Sequence, residues 1–208
     1  MNYKWRLFIQ AAGEETMREL GVQSEKVLKT QLAKGVTIAD YEAILKREEK
    51  SSIIALLRSR FEERYLGIMD SKNCHGFTIM AISCLMIEAL ESFHEGLAST
   101  KGISEIVFRR FFDHAEGFAE LRPYVRSFYE NVRCGILHQA ETTGGWLIRK
   151  SGNLFDKNSS TINAAEFLKR LREHFEKYLT ELTNSEWNST PWIRLKNKFA
   201  AIIENCEK

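Results

Sequence analysis

Residues 77–97 read FTIMAISCLMIEALESFHEGL, the most apolar helical segment of the chain. Apolar residues recur there at the three- and four-residue spacing of a helix. One side carries Ile79, Ile82, Met86, Leu90 and Phe93. A helix that is apolar over most of its circumference belongs at the centre of a bundle. The segment therefore predicts a helical bundle built around it.

The same segment carries three acids, Glu88, Glu91 and Glu95, at positions i, i+3 and i+7 on one helical face. We interpret them as a solvated outer stripe, and the alternative is a polar wall that faces a site. The apolar run from Phe77 to Ile87 is eleven residues long, which is too short to span a bilayer. We therefore expect no membrane segment.

The composition is that of a globular protein. The chain has 208 residues, of which 44% are hydrophobic and 28% are charged, and this favours one compact body. Lys and Arg number 30 against 28 Asp and Glu, so that the net charge is +2. Such a small excess excludes a polycationic surface that coats nucleic acid or a membrane. A small, local phosphate site stays compatible with it.

Helical patterns flank the central segment on both sides. We predict an all-α fold, an up-and-down helical bundle over residues 71–183 that carries a small β-hairpin. Residues 1–70 are expected to form an N-terminal helical extension packed on this core, and residues 184–208 a C-terminal amphipathic helix. The three parts together are expected to make one compact domain.

Start and stop signals set the expected bounds of the elements. The opening from Tyr3 to Gln10 is either strand or helix. The helical segments are 14–34, stopped by Gly35; 38–66, capped by Thr37 with Asp40 in its first turn and divided at Ser51-Ser52; 103–113; 122–138, with Pro123 in its first turn; 164–182, capped by Asn163; and a last helix from Thr190-Pro191. Trp146–Arg149 and Leu154–Phe155 flank Ser151–Asn153, which predicts the hairpin.

The cysteines and the N-terminus indicate a reduced, cytoplasmic protein. The four cysteines are far apart and form no C-x-x-C pair, so that we expect neither a disulfide framework nor a zinc site. The first residues lack the apolar region of a secretory signal. No P-loop, G-x-G-x-x-G, G-x-S-x-G or H-E-x-x-H motif occurs. We expect no metal and no cofactor.

One stretch carries a pattern with chemical meaning. Residues 128–140 read FYENVRCGILHQA, in which Arg133 and His138 end an aromatic-rich helix and a polar, glycine-containing loop follows. Arg109 and His114 have the same spacing. They lack the glycine and the loop, and we interpret them as the solvated side of a Phe-rich helix.

The stretch resembles the active-site signature of the HEPN superfamily, small helical-bundle proteins in which Arg, four to six residues and then His end a core helix. The resemblance covers about residues 71–183 and includes the order of the elements. It implies a metal-independent endoribonuclease of the toxin or phage-defence type, which leaves a 2′,3′-cyclic phosphate. It also implies RNA as the partner, a homodimer with two motif copies across a cleft, and a protein inhibitor.

The residue types fit that chemistry. Cleavage of RNA by its own 2′-hydroxyl needs a group that takes the hydroxyl proton, a task for a neutral imidazole such as His138. It also needs a cation for the charge that develops on the phosphoryl oxygens, a task for the guanidinium of Arg133. Glu130 is expected to hold Arg133 in place, and Arg126, on the same face, to bind a flanking phosphate.

Helix geometry leaves two arrangements open. On an uninterrupted helix, five residues rotate His138 by about 140° from Arg133. Either the helix unwinds near Gly135, which glycine permits, or a partner chain supplies the complementary half of the site. In a purely structural interpretation, Arg133 pairs with Glu130 and loop carbonyls, and His138 caps the C-terminus of the helix.

Two non-enzymatic functions are alternatives to the ribonuclease hypothesis. Cys134 follows Arg133 where the family commonly carries a small polar residue, which motivates a non-catalytic HEPN-like module that binds RNA, a nucleotide or a protein partner. The apolar face from Trp192 to Ile203 motivates an assembly protein. Cleavage of RNA would separate the enzyme from both.

Overall fold

A computed structural model describes residues 25–206. The predicted element at Tyr3–Gln10 and the first part of the predicted helical segment 14–34 lie outside the described residues. The α-helices are α1 (Glu25–Leu28), α2 (Ile38–Lys46), α3 (Lys50–Arg64), α4 (Gly76–His94), α5 (Ser104–His114), α6 (Val125–Phe128), α7 (Cys134–Gln139), α8 (Ala164–Asn184) and α9 (Thr190–Cys206). Short 3₁₀ helices cover Leu66–Ile68 and Glu116–Tyr124, and a π turn covers Tyr129–Arg133.

Helix α4 is the central element, as its apolar sequence predicts. It packs against α5, α8 and α9. Side chains around most of its circumference are buried, among them Ile79, Met80, Met86, Ile87 and Leu90. By length and composition this helix could also cross a membrane, but 61% of its apolar window is buried inside the protein. Its hydropathy is therefore that of a core helix.

One hydrophobic core joins the three expected parts of the chain. The buried cluster runs from Leu32 to Ile203 without a break at residue 70 or 183. Aromatic rings make the connections: Phe61 of α3 stacks on Phe175 of α8 with centroids 4.7 Å apart, and Tyr41 of α2 lies 4.8 Å from Phe199 of α9. Burial of this kind is the main favourable term in folding. Over residues 25–206 the fold is mostly helical, with two small sheets.

Local capping signals are confirmed, whereas one helical segment ends earlier than predicted. Thr37 forms a capping box with Asp40 at the start of α2. Before it, however, β1 (Gln31–Ala33) and β2 (Val36–Thr37) pair as an antiparallel hairpin, so that the helix expected up to residue 34 is wrong there. Gly35, with φ +75°, serves the hairpin turn and does not end a helix.

The break in the segment 38–66 also lies elsewhere. Residues 47–49 separate α2 from α3, and Glu48 has a left-handed φ of +55°. Ser52 instead lies inside α3, where its hydroxyl donates a hydrogen bond to the side chain of Glu49. The two serines therefore belong to the first turn of α3 and do not divide the segment.

The predicted hairpin after the motif is wrong in its pairing. Strands β3 (Leu147–Arg149) and β4 (Phe155–Asp156) do not pair with each other. Both pair with β5 (Thr161–Asn163), β3 in parallel and β4 in antiparallel orientation. The middle position lets β5 satisfy its backbone groups on both edges while Ile162 is fully buried. Asn163 then caps α8, as predicted, by accepting hydrogen bonds from the backbone of the first turn.

The apolar face of α9 is covered by the chain itself. Trp192, Leu195 and Phe199 are fully buried. The indole of Trp192 donates a hydrogen bond to the carbonyl oxygen of Leu182 at 2.9 Å and lies 4.8 Å from the ring of Trp187. This face is part of the core, which removes the basis for an assembly function of α9.

The position of α9 in the core leads to a stability prediction. We expect Trp192→Ala to lower the free energy of unfolding by about 3–5 kcal/mol, the usual cost of emptying a buried aromatic site. Ile193→Ala, one residue further on the half-exposed side of the same helix, should cost less than about 1 kcal/mol. Urea unfolding followed by circular dichroism measures both. Similar costs for the two variants would contradict the buried position of Trp192.

Candidate functional site

The helix that carries the motif contains a π turn. Helix α6, the turn Tyr129–Arg133 and helix α7 follow one another directly, and the backbone N–H of Cys134 donates to the carbonyl of Tyr129, five residues earlier. Such turns are rare inside α-helices and are frequent at functional sites. The extra residue rotates everything after it relative to α6. Arg133 therefore does not lie on the predicted common face with Arg126 and Glu130.

Arg133 turns inward and binds the central helix. Its Nε and Nη2 atoms donate to Oε1 of Glu88 at 3.0 and 2.5 Å, and each of the two side chains is only 14% exposed. The guanidinium also lies 5.4 Å from the ring centroid of Tyr129. Burial works to lower the pKa of Arg133, but the hydrogen bonds and negative charge of Glu88 outweigh it and raise that pKa above its ordinary value.

Glu88 is itself held from the other side. Its second oxygen, Oε2, accepts hydrogen bonds from the hydroxyls of Ser104 at 3.0 Å and Thr100 at 3.4 Å. One carboxylate thus connects α4 with the motif helix and with the start of α5. The connection holds the guanidinium of Arg133 in one orientation, because both partners of the ion pair have lost most of their rotational freedom.

The prediction that Glu130 pairs with Arg133 is therefore wrong. Glu130 accepts a hydrogen bond from Nε of Arg126 at 2.9 Å, as an exposed i, i+4 pair on the outer surface. Within the described residues, Arg133 donates no hydrogen bond to Glu130 or to a loop carbonyl oxygen. The sequence signal for the true partner, Glu88, was its position on one face of the most apolar helix.

The helix does not unwind at Gly135. Residues Cys134–Gln139 are α-helical, and the helix ends at Ala140, whose φ of +55° is left-handed. Gly135 permits a different contact: a β-carbon there would lie 2.6 Å from the carbonyl oxygen of Glu141. The glycine therefore lets the following loop fold back onto the helix. The side chains of Arg133 and His138 therefore still point about 140° apart around the helix axis.

His138 lies at the solvent-facing end of α7. Its side chain is exposed, and among residues 25–206 no hydrogen bond or ion pair of its ring is found. Ala140 closes the helix through its own N–H to the carbonyl of Gly135, so that His138 does not cap it by a hydrogen bond. Within one chain, the structure does not bring Arg133 and His138 together.

The acidic face of α4 is an interior feature, and its interpretation as a solvated stripe is wrong. Glu91 is 1% exposed and its Oε2 atom lies 2.9 Å from Nε2 of His114. Glu95 lies 3.3 Å from Arg194 of α9 and 3.8 Å from Arg110 of α5. The three acids instead face side chains of neighbouring elements.

A second cluster lies one turn along α4 from Glu88, and the sequence interpretation missed it. Ligand atoms of Glu91, His94 and His114 lie within 4.8 Å of one another. The rings of His94 and His114 stack at 4.6 Å, and His174 of α8 lies 5.3 Å from His114. The signal in the sequence was a Glu-x-x-His spacing on the central helix, which places both side chains on one face.

Comparison with known proteins adds nothing to this geometry: no family model matches the chain, and neither a curated protein nor a solved structure matches it.

The Arg133–Glu88 pair leads to a prediction for a double-mutant cycle. We expect Glu88→Gln and Arg133→Met each to lower the free energy of unfolding by about 2–4 kcal/mol, because each leaves a buried charge without its partner. The double variant should cost at least about 1 kcal/mol less than the sum of the two. Urea unfolding measures the cycle.

The matched control lies on the same helix. Glu130→Gln and Arg126→Met break the exposed pair and should each cost about 0.5 kcal/mol or less. Equal effects for the inner and the outer pair, or additive effects at Glu88 and Arg133, would contradict a stabilising role of the inner pair.

Proposed function

We propose that the chain is a metal-independent endoribonuclease of the HEPN type, whose site forms between two copies. The observation that carries the proposal is the pair of side chains at α7: a guanidinium held by Glu88 on the residue directly before the helix, and an exposed imidazole near its end. The toxin or phage-defence role, the protein inhibitor and the cytoplasmic location stay predictions from the sequence.

The held arginine is suited to an anion. A guanidinium has five N–H donors in a planar fork, and Glu88 takes those of Nε and one of Nη2. Within the described residues, the two donors of Nη1 have only the weak acceptor Cys134 Sγ at 3.9 Å. These two donors and the second donor of Nη2 are left for a phosphoryl oxygen, and Glu88 acts as the positioning residue that aims them.

The exposed imidazole is suited to proton transfer. A neutral imidazole of His138 takes the proton of a 2′-hydroxyl, and the freed oxygen attacks the adjacent phosphorus. The bond between phosphorus and the 5′-oxygen then breaks, and an imidazolium returns a proton to that oxygen. The products are a 2′,3′-cyclic phosphate and a 5′-hydroxyl, with the developing phosphoryl charge facing Arg133.

A second copy solves the geometric problem. Because Arg133 and His138 face directions about 140° apart, one chain cannot direct both at the same phosphate. In a twofold dimer, each surface meets its own copy, and Arg133 of one protomer can face His138 of the partner subunit. Leu137, which is 49% exposed beside His138, supplies apolar area for such a contact.

The alternative is a non-catalytic module that binds RNA. The observation that favours it is the low exposure of the Arg133 side chain, 14%, together with the thiol of Cys134, whose Sγ lies 3.9 Å from Nη1 of Arg133. This alternative predicts a complex with RNA that Arg133→Ala weakens, and no cleavage by any preparation.

A cleavage assay tests the enzyme. We expect the purified protein to cleave structured RNA in the presence of EDTA, and His138→Ala and Arg133→Ala each to lose at least about 100-fold in rate. Arg133→Lys, which keeps the charge but not the fork, guards against a folding defect and should also lose most activity. Arg109→Ala, which alters the exposed arginine of the other Arg-x4-His pair, is the matched control. Equal cleavage by all variants would exclude the proposal.

A mixture of the two inactive variants tests the shared site. After subunit exchange of equal amounts of Arg133→Ala and His138→Ala, half of the dimers are mixed, and each mixed dimer holds one intact site of the two. We therefore expect about a quarter of the wild-type rate to return. No recovery by a mixture that has exchanged subunits would contradict a site built from one Arg133 and the partner's His138.

A further inference from the structure

The cluster of Glu91, His94 and His114 has the composition of a metal site. Glu91 and His94 are one turn apart on α4, and His114 is the last residue of α5. Their ligand atoms lie within 4.8 Å of one another. Helical bundles build metal sites from side chains on facing helices, and Glu-x-x-His pairs are among the ligands they use.

Buried polar atoms without partners point to a missing cation. Glu91 is 1% exposed. Its Oε2 atom accepts a hydrogen bond from His114, but its Oε1 atom has no hydrogen-bond partner within the described chain. Nδ1 of His94 is also buried without a hydrogen bond, with Oε1 of Glu95 3.6 Å away. A buried carboxylate oxygen that is left unpaired costs free energy, and a bound cation between these atoms would remove that cost.

The hydrogen bond from His114 does not meet the need by itself, because it reaches Oε2 of Glu91 and leaves Oε1 unpaired. A divalent ion would replace that hydrogen bond and engage both imidazoles and the carboxylate together.

The neighbouring groups fit a metal environment. The ring of His174 of α8 lies 5.3 Å from the ring of His114 and adds a further imidazole beside the cluster. A carboxylate oxygen of Glu181 lies 3.9 Å from Nε2 of His94 and can orient that ring, as carboxylates do around metal-binding histidines.

Two of the three ligands, His94 and His114, are reachable from solvent. They line a cavity of about 260 Å³ together with His174, Tyr178 and Glu181. The same cavity contains Lys177, whose charge is paired with Glu116 at 3.2 Å. An ion can therefore enter without passing through the hydrophobic core.

We propose that Glu91, His94 and His114 bind a divalent transition-metal ion and so tie α4 to the end of α5. Two imidazoles and one carboxylate are ligands that Zn²⁺, Co²⁺ and related ions accept, whereas Mg²⁺ and Ca²⁺ prefer oxygen. The site is separate from the motif of Arg133 and His138, so that cleavage of RNA in EDTA and binding of metal are independent results.

Titration of the chelator-treated protein with Zn²⁺ tests the site. Isothermal calorimetry should find one ion per chain, and Zn²⁺ should raise the midpoint of thermal unfolding. With Co²⁺, the visible spectrum should show bands of a nitrogen and oxygen ligand set without a thiolate charge-transfer band, which separates this site from Cys84 and Cys134.

Substitutions locate the ion. Glu91→Gln, which keeps the shape of the side chain, and His114→Gln should each weaken Zn²⁺ binding at least 100-fold. His75→Asn is the matched control, because it removes a histidine outside the cluster and keeps an N-capping side chain at the start of α4. The Zn²⁺ affinity of this variant should equal that of the wild type. Circular dichroism checks that each variant is folded.

Three results would overturn the proposal. These are no binding by the wild type, several weak ions per chain, or an affinity that Glu91→Gln and His114→Gln leave unchanged.

Discussion

Three carboxylates, two on one face of α4 and one directly after its last residue, contact side chains from other elements. Glu88 and Glu95 form ion pairs with Arg133 of the motif helix and Arg194 of α9, and the buried Glu91 lies 2.9 Å from the ring of His114 of α5. A buried charge without a partner is strongly destabilising. The row of acids therefore constrains how three further elements pack around the central helix, beyond what apolar contact specifies.

This constraint also explains why the two candidate sites are neighbours. Apolar side chains fill most of the surface of α4, and its acidic residues lie on one face. At Glu88 the face holds an arginine whose remaining donors suit a phosphate. One turn later, at Glu91, it gathers imidazoles that suit a metal ion. The same helix supports both because a rigid, buried element keeps the side chains that it carries in place.

Local features of the fold were predictable. The capping box of Thr37 and Asp40 and the cap at Asn163 are hydrogen bonds within three residues of chain, and the helical spacing of α8 repeats over 21 residues. The pairing of β5 was not predictable, because three short strands can pair in more than one order and the choice depends on which one covers the core. The unpredicted strand at Gln31–Ala33 has the same origin: tertiary contact outweighed a weak local preference.

By itself, the sequence determined that a mostly helical protein forms around residues 77–97, where its helices are capped, and that Arg133 and His138 occupy one helix. Short-range spacing and hydrogen bonds to the adjacent backbone decide these features. Only the tertiary structure decided that Arg133 pairs with Glu88, 45 residues away, and not with Glu130. It also decided that His114 joins Glu91 and His94. Several acids had a suitable charge, and the packing of helices selected the one that is buried beside each cation, where desolvation makes the pairing obligatory.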